Sequence, residues 1–424
     1  MTAGQFQLGE EFARAMDAGD PLAGFRDLFC IPKTKSGEEC VYLCGHSLGL
    51  QPKSAASYLE QELRDWSELG VEGHFHAKNP WMPYHRLLTQ QTAELVGAQA
   101  AEVVVMNSLT VNLHLMMASF YRPSRLRHKL VIERGAFPSD QYAVKSQIRF
   151  HGFEPATSLI ELTARQGESC IRDEDITELI EREGESVALI LLGGVNYATG
   201  QVFDMAEITK LGHKKECVVA FDLAHAAGNI PLQLHDWGPD FAVWCNYKYL
   251  NGGPGCVAGC FVHARHAYAE AVPRFAGWWG HEEETRFQMG PEFHPMVGAE
   301  GWQLSNPPIL ALAPLRASLE IFSEAGVERL RAKSVLLTSY MEFLLQQNNS
   351  AKFSIVTPCE PERRGAQLSI RLPQRGRQIC DQLAAEGVIG DWREPDTFRV
   401  AAVPLYNSYS DVFRFVKKFS AALR

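Results

Sequence analysis

The sequence predicts an α/β fold: a mainly parallel sheet with helices on both faces, completed by a smaller α+β domain. Three observations predict it. From roughly residue 90 to 265, short apolar runs alternate with helical patterns, as in a chain of strand–helix–strand units. Two of those runs end in ionisable or polar groups, as strands do where a parallel sheet borders its ligand crevice. After Pro307-Pro308 the pattern changes to two helical stretches followed by separated short strands.

Taken in order, Leu59, Leu63, Trp66 and Leu69 recur at helical spacing before Gly70. Val103–Met106, Lys129–Glu133, 187–192, Val218–Asp222 and Phe241–Cys245 read as buried strands. Asp173–Glu183 and 205–215 read as the intervening helices, the first stopping at Gly184. Beyond residue 307, helices are expected over 310–325, 335–347, 377–386 and 410–423, and strands over 353–357, 367–372 and 398–403. The expected division is 46–306 for the large domain and 307–424 for the small one, with 1–45 joining the small domain.

The chain has 424 residues, 46% hydrophobic and 21% charged, which suits a globular enzyme with a large core. A net charge of −9 argues against nucleic acid or an anionic membrane as the main partner. Met1 to Asp20 lacks a basic stretch followed by an apolar one, and no apolar run is long enough to span a bilayer, so a cytoplasmic location is expected. Ten cysteines lie at scattered spacings. Cys40/Cys44 and Cys256/Cys260 lack a second ligand pair, so reduced, mostly buried thiols are expected and no metal.

The chemistry concentrates in Phe221-Asp222-Leu223-Ala224-His225 and in Asn246-Tyr247-Lys248-Tyr249-Leu250, which runs into Gly252-Gly253-Pro254-Gly255. Most lysines are solvated surface charges. Lys248 instead follows an apolar strand and meets a glycine turn, 26 positions after Asp222. A lysine able to form a Schiff base, and a carboxylate able to keep a pyridine nitrogen protonated, suit pyridoxal phosphate. Asp222 alone also suits a helix cap, and His225 alone a structural histidine; the D-x-x-H spacing gives them weight. Asn107-Ser108-Leu109-Thr110 follows a strand and opens a helical run, a phosphate site in form and an ordinary cap by itself. Phe137 can stack on a pyridine ring or simply fill a core. The loose G-x-G-x-x-A match at Gly253–Ala258 precedes an apolar strand, not a helix, so a dinucleotide is not expected. Glu282–Glu284 and His263/His266 read as solvated faces.

Together these residues resemble the kynureninases, within the pyridoxal-phosphate enzymes of fold type I. The likeness runs from Cys44-Gly45-His46-Ser47-Leu48-Gly49-Leu50 to Arg399-Val400-Ala401-Ala402-Val403-Pro404-Leu405-Tyr406-Asn407. Between these lie Met106 to His114, Ala136-Phe137-Pro138-Ser139-Asp140, the two segments above, Gly277-Trp278-Trp279-Gly280-His281 and Ser305-Asn306-Pro307-Pro308. The resemblance implies a large domain whose mainly parallel sheet has roughly seven strands, plus a small domain built from both chain ends. It implies that Lys248 carries the cofactor, Asp222 partners its ring nitrogen and His225 supports it. Phe137 would stack on the ring and Asp140 hydrogen-bond near it. Leu109, Thr110 and Tyr247 would hold the phosphate. Trp278 and Asn306 would enter the site of a second copy, making a homodimer. Arg399 would clamp the substrate's α-carboxylate, and Ser47, His74, Ser305 and Asn306 would border its aromatic ring. Two positions depart from the family pattern: His46 stands where asparagine is usual, and Gly193, also near the cofactor, where some members have serine.

The implied reaction is hydrolytic Cβ–Cγ cleavage of 3-hydroxy-L-kynurenine or L-kynurenine to 3-hydroxyanthranilate or anthranilate plus L-alanine. That step belongs to tryptophan catabolism and feeds NAD synthesis. Lys248 is the natural base for the Cα proton, and Tyr247 a candidate proton donor. The His74 and Ser305-Asn306 combination resembles members that prefer the 3-hydroxylated substrate. The same-fold competitor is a cysteine desulfurase or selenocysteine lyase, yet Pro358 and Glu360-Pro361 around Cys359 do not suggest a mobile persulfide loop. A non-catalytic dimeric scaffold has no need of Lys248, Asp222 and Arg399.

Overall fold

The computed structural model describes residues 6–267, 272–348 and 351–424; residues 1–5 of the N-terminal segment fall outside them. Its centre is a seven-stranded sheet: β1 (Val103–Met106), β2 (Lys129–Glu133), β3 (Leu159–Leu162), β4 (Val187–Gly193), β5 (Val218–Asp222), β6 (Phe241–Cys245) and β7 (Ala258–Val262). In space the strands run β1-β7-β6-β5-β4-β2-β3. All neighbours are parallel except those of β7, which is antiparallel to β1 and β6, so β1 still points the same way as the rest.

Apart from the edge strand β3, the strands have apolar interiors, with Lys129, Glu133 and Asp222 only at strand ends, because both faces are covered. On β5, Val219 and Phe221 enter one core while Ala220 enters the other; on β2, Val131 takes the first side and Leu130 and Ile132 the second. Period-2 alternation therefore separates two apolar layers rather than an apolar and a polar one. The expected strands sit where the sequence places them. β3 is an addition to them: Leu-Ile-Glu-Leu is short and carries a charge at the sheet edge, so its apolar signal is weak.

The second unit holds an antiparallel sheet of β8 (Ser354–Ile355), β9 (Gln367–Arg371), β10 (Asp391–Arg393) and β11 (Thr397–Ala401), in the order β8-β9-β11-β10. Its core joins Phe6, Ala13, Val41 and Leu43 from the N-terminal segment to Leu337, Ile370, Phe398, Phe415 and Phe419. The helix expected over 335–347 begins earlier, at Val327, because Gly326 (φ +77°) ends the preceding helix Ile309–Ala325 and the chain restarts at once. That preceding helix packs Leu312, Ala313, Leu315 and Leu319 against Tyr84, Leu88 and Val105 of the large unit. We propose, on this packing, that the division between units falls at Gly326 rather than at 307. Among the described residues no helix is long and apolar enough to cross a membrane.

Candidate active site

The C-terminal ends of the parallel strands converge on one cavity. Its walls include Leu109 and Thr110 beyond β1, Glu133 at the end of β2, Gly193 at the end of β4, Asp222 and His225 at and after β5, and Tyr247 and Lys248 after β6. Phe137, Asp140 and Tyr197 complete it. Residues as far apart in sequence as Leu109 and Lys248 are thus brought together, because parallel strands end on one edge. The turn after β1 is held open by Asn107, whose φ of 50° is a left-handed conformation that asparagine tolerates, and its amide donates to Asn112 Oδ1 at 3.0 Å.

Two helices aim their N-termini into the cavity, Leu109–Phe120 and Pro138–Phe150. Thr110 Oγ1 and Ser139 Oγ, in their first turns, share a hydrogen bond of 2.8 Å. Unbonded N–H groups and two helix dipoles make this end of the cavity attractive to an anion. At the opposite side Lys248 Nζ lies 3.1 Å from His225 Nε2 and 5.9 Å from the ring centres of Phe137 and Tyr247. His225 is held neutral: burial, then Lys248 and Arg399, push its pKa well below the ordinary range.

Three carboxyls meet on the cavity floor. Asp222 accepts the Ala224 N–H at 2.7 Å; burial raises its pKa, while that hydrogen bond, Lys248 and Asp140 oppose the rise. Asp140 is pushed well above the carboxylate range by burial and by Asp222, so it holds the proton of the pair. Glu133 is raised to about 7, chiefly by burial, and accepts the Gly193 N–H with both oxygens at 3.3 and 3.2 Å. A side chain at 193 would meet Glu133 Oε1 at 2.9 Å from its Cβ, so glycine here makes room for the carboxyl.

The sign of the Glu133 shift sets a pH dependence. Its folded pKa lies above the unfolded value, so between pH ~4.5 and ~7 the folded protein binds more protons and loses stability as pH rises, by about 3 kcal/mol across the window. Glu133→Gln should flatten the fall in melting temperature of the cofactor-free protein between about pH 5 and about pH 7.5. An unchanged slope would remove Glu133 as its source.

The donor set fits the cofactor that the sequence implies. Asp140 Oδ1 and His225 Nδ1 are buried here without a hydrogen-bond partner among the described residues. Beside them stand an aromatic face, a buried carboxylate, an amine and a polarised anion end, which match the ring, pyridine nitrogen, aldehyde and phosphate of pyridoxal phosphate.

Arg399 lies next to this cavity, fully buried, with Nη1 donating to the carbonyl of Tyr197 at 2.7 Å and its guanidinium 5.7 Å from the Tyr197 ring. Ser47 is brought to the same place, 2.5 Å from Asp391. His74, Trp278, Ser305 and Asn306 do not line the cavity of a single chain. His74 is tied to the Val71 carbonyl at 3.1 Å and stacks edge-on against Trp81. Trp278 is 41% exposed and donates to the Arg286 carbonyl, and Ser305 and Asn306 lie outside the core. Sequence reasoning missed Glu133, Ser139, Tyr197 and Asp391. Glu133 carried the same signal as Asp222, an acid closing an apolar strand, and Ser139 stood at a helix start; Tyr197 and Asp391 carried none.

The likenesses of the chain agree with this geometry. Residues 330–419 match the family model described as the kynureninase C-terminal domain. The chain is 68% identical to a protein of Koribacter versatilis named kynureninase, over 100% of both chains. It is 57% identical to one of Myxococcus xanthus of the same name, covering 99% of this chain and 98% of the other. Among solved structures, a cysteine desulfurase of Escherichia coli superposes with a TM-score of 0.76 at 18% identity, over 95% of this chain and 98% of that one. A cysteine desulfurase of Thermococcus onnurineus does so with 0.72 at 14%, over 89% and 93%. These distant structures share the fold, the type I fold of pyridoxal-phosphate enzymes.

Proposed function

The chain belongs to the kynureninase family, and from that premise we propose how its residues divide the work. The protein is a pyridoxal-phosphate enzyme that hydrolyses the Cβ–Cγ bond of L-kynurenine and/or 3-hydroxy-L-kynurenine, releasing anthranilate or 3-hydroxyanthranilate and L-alanine. When bound, the cofactor supplies an electron sink for the substrate's α-carbon.

Lys248 would hold the cofactor, and its freed Nζ would take the substrate's Cα proton. Asp222 keeps a proton on the pyridine nitrogen through its charge, and protonated Asp140 fixes the orientation of that carboxylate. Leu109 and Thr110, with Ser139, hold the phosphate by N–H and hydroxyl donors, aided by Tyr247. Phe137 covers the ring and His225 supports it. Tyr247 keeps its proton, because burial raises its pKa above the ordinary range, and delivers that proton to the carbon left by Cβ–Cγ cleavage. The convergence of Lys248, Asp222 and two helix N-termini on one cavity is the observation that carries this assignment.

Arg399 binds the α-carboxylate. Arg399→Ala should raise KM about 30- to 150-fold with a smaller change in kcat, the loss of a charge-assisted pair worth about 2–3 kcal/mol. An unchanged KM would count against the clamp.

The active unit is a homodimer, in which Trp278 and Asn306 of one copy complete the other's site. The exposure of Trp278, beside exposed Phe275, Phe287 and Met289, supports this. The enzyme works in the cytoplasm and prefers 3-hydroxy-L-kynurenine, read by His74, Ser305 and Asn306 beside Ser47. Side-by-side initial rates on the two substrates test the preference. Faster turnover of L-kynurenine would discard it and leave the family assignment intact.

A further inference from the structure

Four groups converge on a single carboxylate oxygen, Oδ2 of Asp391. Ser47 Oγ donates to it at 2.5 Å and Arg393 Nη2 at 2.9 Å, Arg399 Nη2 is in direct contact, and His46 Nε2 stands 3.7 Å away. Asp391 and Arg399 face each other across β10 and β11 in register, so backbone pairing fixes the meeting. Burial raises the pKa of Asp391, but Arg399, Ser47, His46 and Arg393 outweigh it, and the group is a carboxylate.

The charges around it do not cancel. Arg399 and Arg393 are both paired with this one carboxylate, and buried His46 is neutral, so the cluster carries one net positive charge. Within the cluster, Arg399 Nε and both ring nitrogens of His46 are buried without a hydrogen-bond partner among the described residues. A buried cluster with one surplus positive charge and spare donors is the complement of one more carboxylate. Asp391 meanwhile has a second cation to rest on: Arg393, whose side chain is 41% exposed, against 1% for Arg399.

We propose that Asp391 is the resident occupant of the substrate-carboxylate site: it neutralises Arg399 in the free enzyme and yields it to the incoming α-carboxylate while staying with Arg393. This rests on the reading of Arg399 as the clamp. Asp391 is then a positioning residue that sets carboxylate affinity through Arg399. It makes every amino-acid ligand compete with an internal anion, and it spares the enzyme an uncompensated buried guanidinium when the site is open.

A resident competitor and a merely structural ion pair predict opposite signs. Asp391→Asn keeps the shape and an oxygen to accept from Ser47 and Arg399, but removes the charge that opposes the ligand. Isothermal titration calorimetry on the holoenzyme, with L-alanine as the carboxylate probe and ethylamine as the probe without one, reads the difference. Asp391→Asn should bind L-alanine about tenfold tighter, with ethylamine unchanged, and should lower KM for L-kynurenine. Arg393→Gln, which leaves Asp391 with Arg399 alone, should weaken L-alanine about fivefold. Weaker or unchanged L-alanine binding in Asp391→Asn overturns the proposal; if Arg399→Lys still loses L-alanine, the clamp itself stands. If Arg399→Lys leaves L-alanine binding intact, the clamp reading fails with it. Should Asp391→Asn not fold, Arg393→Gln decides alone: unchanged or tighter binding overturns the proposal.

Discussion

Replacing Lys248 by alanine is expected to lower kcat at least about 10⁴-fold and to abolish the absorbance of covalently held cofactor. Two losses combine. The cofactor loses its attachment, and the substrate loses the amine that takes its Cα proton. Neither role passes to a neighbour. His225, a base 3.1 Å from Nζ and kept neutral by burial, is fixed among aromatic rings rather than carried on a flexible stem. Steady-state rates and the visible spectrum of the purified variant check this together. Turnover within about tenfold of the parent would remove Lys248 from the chemistry.

Asp222→Asn is expected to lower kcat by about 10²–10³ while leaving KM within a few-fold. The carboxylate sits 8% exposed at the end of β5, braced by the Ala224 N–H and beside protonated Asp140, so its charge acts at short range with little screening. The amide retains the shape and loses the charge. A pH titration of cofactor absorbance separates this from misfolding: the variant should release the ring-nitrogen proton at lower pH. A parent-like titration with parent-like kcat would assign the ring nitrogen to another partner.

The main sheet was legible because its strands are buried on both faces and written as unbroken apolar runs such as Val218–Asp222 and Phe241–Cys245. Asp222 and Lys248 were legible for the complementary reason, as polar groups closing such runs. Asp391 was not, because its meaning comes from register: β10 is a short, polar strand of three residues, and only pairing with β11 sets Asp391 opposite Arg399. Glu133 acquired its role from Gly193, 60 positions away, whose missing side chain leaves the space that the carboxyl fills. The small unit's core was half-legible: helices and strands after residue 327 are periodic, whereas Phe6, Ala13, Val41 and Leu43 join them only through tertiary packing.

The central claim is a hydrolytic carbon–carbon cleavage, and product balance tests it most directly. Holoenzyme incubated with L-kynurenine should release anthranilate and L-alanine in equal amounts, with none formed by Lys248→Ala. Alanine released from L-cysteine with sulfide, and no aryl amine from L-kynurenine or its 3-hydroxy derivative, would contradict it.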